Sequence, residues 1–275
     1  MNKVMMKAII KKDLRDIFRT KSLLTTIIII PIVFSVVFPT VLIGSALLFD
    51  LEKVMGADMQ KMIGMFLAET KNADVLLETT EQKIVYLFIN YLLPSLFLLV
   101  PIITASVVAA NSFVGEKERR TLESLLFSPV SIKTLFISKT LASFIPSFLV
   151  SFISFVLCGL IINGLGYQLF GEIIFPSSNW IALIACLSPM VIFMTVLLNI
   201  FISSRVKTYQ EAQNIGGIIV LPVVGLIVGQ ASGLFLVGAQ LTLLISAGIM
   251  VLNLVLLHRM TKLNDRHVLF ENQIH

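Results

Sequence analysis

The chain alternates long apolar runs with short charged ones. Five stretches, 22–49, 84–115, 140–171, 173–204 and 212–258, contain no Asp, Glu, Lys or Arg, and together they make up more than half of the 275 residues. About 20 consecutive apolar residues cross a bilayer as a helix. Each of the first four stretches holds one crossing with some overhang. The fifth, at 212–258, would be about 70 Å long as a helix, against a hydrocarbon core of about 30 Å, so it predicts two crossings. The Gly-Gln-Ala-Ser-Gly run at 229–233 is the natural break between them. The expected fold is therefore an all-α polytopic membrane protein with six transmembrane helices, near 24–48, 87–110, 141–162, 180–202, 215–231 and 239–258.

Charge placement sets an expected orientation. Of the 21 Lys and Arg, seven lie in residues 1–21, five in 116–139, two in 203–214 and three in the tail 259–275. The remaining four share the 50–83 loop with seven acids. Basic residues close to span ends stay in the cytoplasm, so both termini are expected inside and the 50–83 loop outside. The first apolar run is too long for the apolar core of a cleaved signal peptide. The net charge of +5 is spread beside the spans and marks topology, not a nucleic-acid surface.

Composition excludes a soluble enzyme: 57% of residues are hydrophobic and 13% charged, against about a quarter charged in soluble domains. Cys158 and Cys186 fall inside the third and fourth spans as small hydrophobes. His258, His267 and His275 are spread along the tail, without metal-ligand spacing; no metal site and no catalytic residue is expected.

Residues 4–21 predict a basic amphipathic helix. Met6, Ile10, Leu14 and Ile17 recur at helical spacing, Ile9 and Phe18 widen the stripe, and Lys7, Lys11, Arg15 and Arg19 take other faces. Such a helix before a span is expected at the lipid headgroups, apolar side down. Inside the spans the ionisable residues are absent, Lys139 being close enough to an end to snorkel. Asn90, Thr104, Asn199 and Asn253 are the polar candidates for a translocation path, each also able to bond across helices. Pro94, Pro101 and Pro222 are expected to kink their spans. The stretch 167–178 is expected to lie along the outer interface or to re-enter it.

The segment after the second span reads NSFVGEKERRTLESLLFSPVSIKT, 111–134. Gly115 ends the apolar run, 116–127 is expected as a short charged helix with an apolar edge at Leu122, Leu125 and Leu126, Pro129 should stop it, and Ser131 can cap the helix leading into the third span. The run GEKERRTLESLLFSPVS resembles the signature after the second span in permease subunits of type-2 ABC exporters, the bacterial family of sodium-efflux, drug-efflux and polysaccharide-export permeases. It matches at Glu116, Glu118, Arg119, Thr121, Leu122, Glu123, Leu125, Leu126, Pro129, Val130 and Ser131, with Arg120 where many relatives have Gly. The second connection, 203–214, ends in Glu211, Ala212 and Gln213 before Asn214, similar to the family's polar stretch between spans four and five.

The resemblance implies a division of labour. The 116–127 helix would be a coupling helix docked on a separate ABC-type ATP-binding subunit, with Glu118 and Glu123 as leading contacts and Leu122 as apolar anchor. Glu211 would lie in a second, smaller contact, and the N-terminal helix would slide on the membrane surface as an elbow. ATP and Mg²⁺ would be held by that partner, present in two copies, since this chain has no Gly-x-x-x-x-Gly-Lys-[Ser/Thr] loop. A six-span copy implies a homodimer, or a heterodimer with a second permease, in the plasma membrane of a prokaryote. Membrane lipids are partners; nucleic acid is not. The cargo stays open among sodium, drugs, peptides and lipid-linked molecules. The competing classes are a secondary transporter or channel, which should show charged spans or inverted repeats, and a non-transporting anchor or assembly protein.

Overall fold

The computed structural model describes residues 3–48, 63–64, 77, 79–115, 132–203, 206 and 208–263. Among them the chain is helical, with turns and no strand. An N-terminal helix, Lys3–Arg19, precedes six helices long and apolar enough to cross a membrane: Lys21–Leu48, Thr80–Gly115, Thr134–Phe170, Ser178–Ser203, Tyr209–Ala231 and Ala239–Arg259. The six predicted spans are all present, and several are longer than expected. The third belongs to a helix running from Ile132 to Phe170, about 58 Å at 1.5 Å per residue. It stands well beyond the roughly 30 Å of hydrocarbon that set its predicted limits.

The second span is the axis of the bundle. It is buried over most of its length, whereas the first, third, fifth and sixth keep most of their surface outward. It packs on the fourth, third, first and fifth spans, and the sixth packs on the fourth. Small residues let the third span come close to its neighbours: Ala142, Ser143, Ser147, Ser151, Ser154 and Cys158 are all buried. Three of those hydroxyls donate back into their own helix, Ser147 to the Ser143 carbonyl, Ser151 to Ser147 and Ser154 to Val150, at 2.7–2.8 Å. That removes the cost of burying them in an apolar bundle.

Prolines shape three spans by one device. In the second span the Leu93 amide reaches back five residues to the Phe88 carbonyl, closing a π-helical turn, Phe88–Leu92. The next amide would be that of residue 94, which is proline and has none. The carbonyls of Ile89 and Asn90, five and four residues before Pro94, thereby lose their helical donors. The widened turn also makes room for the proline ring, which would otherwise meet the carbonyl four residues back. The first span repeats the arrangement at Val33–Val37, with Phe38 bonding to Val33 ahead of Pro39. The fourth repeats it at Leu183–Leu187, with Ser188 bonding to Leu183 ahead of Pro189. Of the expected kinks, Pro94 coincides with such a turn and Pro222 follows a tight 3₁₀ turn, Gly217–Val220. The turns before Pro39 and Pro189 are not among the expected kinks.

The side opposite the N-terminal helix is closed by short turns. Gly171, at φ +69°, ends the long third helix in the left-handed conformation that glycine tolerates. The chain then turns inward. Asn163 holds the backbone of Phe175 at both groups, its amide nitrogen donating to the carbonyl at 2.8 Å and its oxygen accepting from the N–H at 3.1 Å. Ile174 and Phe175 are buried while Ile173 is exposed, so the segment packs back onto the bundle at 174–175. Phe175 lies against Gly159, where a Cβ would come within 2.5 Å of the ring. Its ring joins Trp180, Phe155 and Phe97 in an aromatic cluster with centroids 5.0–6.1 Å apart.

Spans five and six join where the Gly-Gln-Ala-Ser-Gly run was expected to break the helix. The fifth span persists to Ala231 and Gly233 turns the chain at φ +69°. Gln230 is fully buried: its amide donates to the Ser95 hydroxyl of the second span, and its oxygen accepts from the Val237 N–H at 3.2 Å.

Candidate functional site

The side bearing the N-terminal helix is where the two connections implied to meet an ATP-binding partner emerge. Residues 116–131 lie outside the described residues, and with them Glu116, Glu118, Arg119, Thr121, Leu122, Glu123, Leu125, Leu126 and Pro129. Their flanks are described. The second span ends in a π-helical turn, Asn111–Gly115, and the third begins at Ile132. Of the second connection, 209–214 are helical and form the start of the fifth span. The Thr208 hydroxyl caps that helix by accepting from the Glu211 N–H at 3.2 Å. Glu211 itself is exposed there.

The flanks of the first connection share a buried charged cluster with the N-terminal helix. Asp13 of the N-terminal helix is 5% exposed and Lys139 of the third span 1%. The Lys139 Nζ is 3.5 Å from the Asp13 carboxylate. The same ammonium donates to the backbone carbonyl of Ser112, and the Ser112 hydroxyl donates to the Asp13 carboxylate at 2.6 Å. The Phe113 ring lies under the ammonium, 5.3 Å from its centroid. Lys139 therefore does not snorkel to water as expected. It finds the Ser112 carbonyl in the last described turn of the second span, together with the Asp13 carboxylate, which balances its charge.

The N-terminal helix is built around that carboxylate. Ile9, Asp13 and Ile17, four residues apart, form its buried stripe against the third span, and Phe18, read as part of the apolar stripe, is 70% exposed. An aspartate in a basic amphipathic segment reads as solvated, so sequence patterning placed the inner face about one position away.

The polar candidates inside the spans are all buried, and each is tied to the bundle. Asn90 donates to the Tyr86 carbonyl at 3.1 Å, one turn back. The Thr104 hydroxyl bonds to the carbonyls of Val100 and Pro101 at 2.7 and 3.2 Å. Asn199 donates to the Thr195 carbonyl at 2.9 Å and reaches the Ser106 hydroxyl of the second span at 3.4 Å. Asn253 crosses from the sixth span to the Met190 carbonyl of the fourth at 2.9 Å. Asn90, Asn199 and Asn253 each keep a buried amide oxygen with no hydrogen-bond partner among the described residues.

The structure adds polar ties that hydropathy does not reveal. Trp180 donates its indole N–H to the Ile89 carbonyl at 2.9 Å, and Asn179 its amide to the Asn90 carbonyl at 2.8 Å. These are the two carbonyls that Pro94 leaves without donors. Gln82 completes a capping box with Thr79 and donates onward to the Leu169 carbonyl of the third span at 2.9 Å. The far half of the second span is thus fastened to spans three, four and five. Pro94 was the available signal, because a proline in a buried helix implies donors supplied from elsewhere. Among the described residues, no group of three or more His, Cys, Asp or Glu is gathered as metal ligands.

The family model for the ABC-2 type transporter matches residues 5–227, from the N-terminal helix into the fifth span. The chain belongs to the ABC-2 type transporter family. It is a multi-pass membrane permease of ABC transport, a transport component whose family works with an ATP-binding subunit. No curated protein matches the chain, and no solved structure does.

Proposed function

We propose that this ABC-2 permease is the translocating subunit of an ATP-driven exporter in a prokaryotic plasma membrane, with both termini in the cytoplasm. Two copies, or one copy and a second permease, face each other across the path, and two ATP-binding subunits supply the hydrolysis of MgATP. The observation that carries this reading is the family match over 5–227, which includes the 116–131 signature.

In this reading the 116–127 helix docks on the ATP-binding subunit. Leu122, Leu125 and Leu126 give the apolar contact, and Glu116, Glu118, Arg119 and Glu123 set register through charged hydrogen bonds. Thr121 adds a polar contact within the helix, Pro129 stops it, and Glu211 contributes from the second connection. The buried amide oxygens of Asn90, Asn199 and Asn253, without a hydrogen-bond partner among the described residues, support these residues, with Thr104, as polar points of the translocation path.

Docking is tested by affinity purification of the permease with its ATP-binding subunit. Glu118→Arg and Leu122→Asp should each lower the recovered subunit while leaving the amount of permease in the membrane unchanged. Normal recovery and normal transport in both variants would remove the docking assignment.

A further inference from the structure

The buried cluster of Asp13, Ser112 and Lys139 joins three pieces of chain that sequence keeps apart. Ser112 stands just before the 116–131 connection and Lys139 just after it, so the cluster lies at both roots of the proposed docking segment. Asp13 belongs to the N-terminal helix and touches both: its carboxylate accepts from the Ser112 hydroxyl at 2.6 Å and lies 3.5 Å from the Lys139 ammonium. The ammonium in turn holds the Ser112 carbonyl.

Stability alone gives little reason for this arrangement, because a buried ion pair is often no better than apolar side chains of the same volume. What it does supply is register. One residue of axial slip moves the Asp13 carboxylate by about 1.5 Å and swings it by about 100° around the helix. The Asp13 contacts with Ser112 and Lys139 are then broken at a site where all three side chains are buried. The flanking contacts at Ile9 and Ile17 are apolar and would tolerate such sliding; the charged contact does not.

We infer that Asp13, Ser112 and Lys139 are positioning residues that make the N-terminal helix part of the body that moves with the 116–131 connection. This rests on the exporter reading above and replaces a free elbow with a latched one. A displacement imposed at the docking segment reaches the N-terminal helix through the cluster and is delivered to the first span, which comes directly after that helix.

The test compares Asp13→Asn, Lys139→Met and the pair together in the reconstituted complex with its ATP-binding subunit. Each single variant removes one member of a buried ion pair, so recovery of folded permease falls. The neutral pair restores recovery and ATP hydrolysis, while transport per ATP hydrolysed falls about fivefold or more, the lower end of usual coupling factors. Wild-type transport per ATP in the neutral pair would overturn the inference and leave the cluster a packing feature. A second variant covers poor folding of that pair: Asp13→Cys with Ser112→Cys, in a Lys139→Met, Cys158→Ala, Cys186→Ala background. Closing the disulfide with copper phenanthroline should restore transport per ATP, since it re-fastens the helix to the second span. A further loss on closure would show that the helix must slide, and would overturn the inference. A wild-type complex without any ATP-driven transport would instead overturn the exporter reading on which the latch depends.

Discussion

Trp180 and Pro94 should be energetically coupled although neither side chain needs to touch the other. Pro94 deprives the carbonyls of Ile89 and Asn90 of their helical donors, and Trp180 supplies one replacement, an indole N–H 2.9 Å from the Ile89 oxygen. Trp180→Phe keeps an aromatic ring among Phe97, Phe155 and Phe175 but removes that donor. Because Trp180 is fully buried, water cannot take its place, and an unsatisfied buried acceptor costs about 1–3 kcal/mol. Pro94→Ala returns an amide that can bond to either carbonyl. In that background the cost of Trp180→Phe should fall by about 1 kcal/mol, within the usual range for residues sharing a network.

The assay is a double-mutant cycle on purified protein in detergent. Trp180 is the chain's single tryptophan, so its fluorescence cannot serve all four proteins. A maleimide dye that brightens on reaction with the buried Cys158 thiol, in a Cys186→Ala background, follows unfolding in each of them. At about 2–4 °C per kcal/mol for a chain of this size, the midpoint loss caused by Trp180→Phe should be visibly smaller when Pro94→Ala is also present. Equal losses in both backgrounds would refute the reasoning, and with it the view that span four completes the hydrogen bonding of span two.

Other consequences come from close contacts and from topology. Gly216→Ala places a Cβ 2.7 Å from the Ser106 hydroxyl and 3.3 Å from the Asn199 oxygen, so it should destabilise by about 1–3 kcal/mol. Gly248→Ala, with nothing within 4 Å, should be neutral or better in the same melt. Asn163→Leu strips Phe175 of both backbone bonds and should lower the melting midpoint together with protection of residues 171–177 in hydrogen exchange. For orientation, Leu234→Cys and Lys7→Cys, each in a Cys158→Ala, Cys186→Ala background, are exposed at opposite ends of the bundle. A membrane-impermeant maleimide added to whole cells should label the first and spare the second until the cells are opened; the reverse pattern would contradict cytoplasmic termini.

The spans could be read from sequence because bilayer thickness and the scarcity of charge act on every residue of a run. Their lengths could not, since packing extends the third helix to Phe170 beyond any need of the membrane. Proline positions were visible, yet the π-helical turns before Pro39, Pro94 and Pro189 depend on backbone bonding that hydropathy does not register. The burial of Lys139 was hidden for another reason. A lysine at a span end has water as its default partner, and Asp13, more than a hundred residues earlier, looked like one polar residue in a basic helix. Only folding brings that pair to Ser112. The docking residues are legible as a motif, because a charged helix with a leucine edge and a closing proline is written in consecutive residues.

The central claim is that this permease exports a solute using ATP hydrolysed by a separate subunit. Its most direct test is uptake into inside-out vesicles holding the permease and its ATP-binding subunit, screened over sodium, drugs, peptides and lipid-linked molecules. The account predicts accumulation of one of these that requires MgATP, survives collapse of the proton gradient and disappears with Leu122→Asp. Accumulation that ignores ATP and tracks the proton gradient would contradict it.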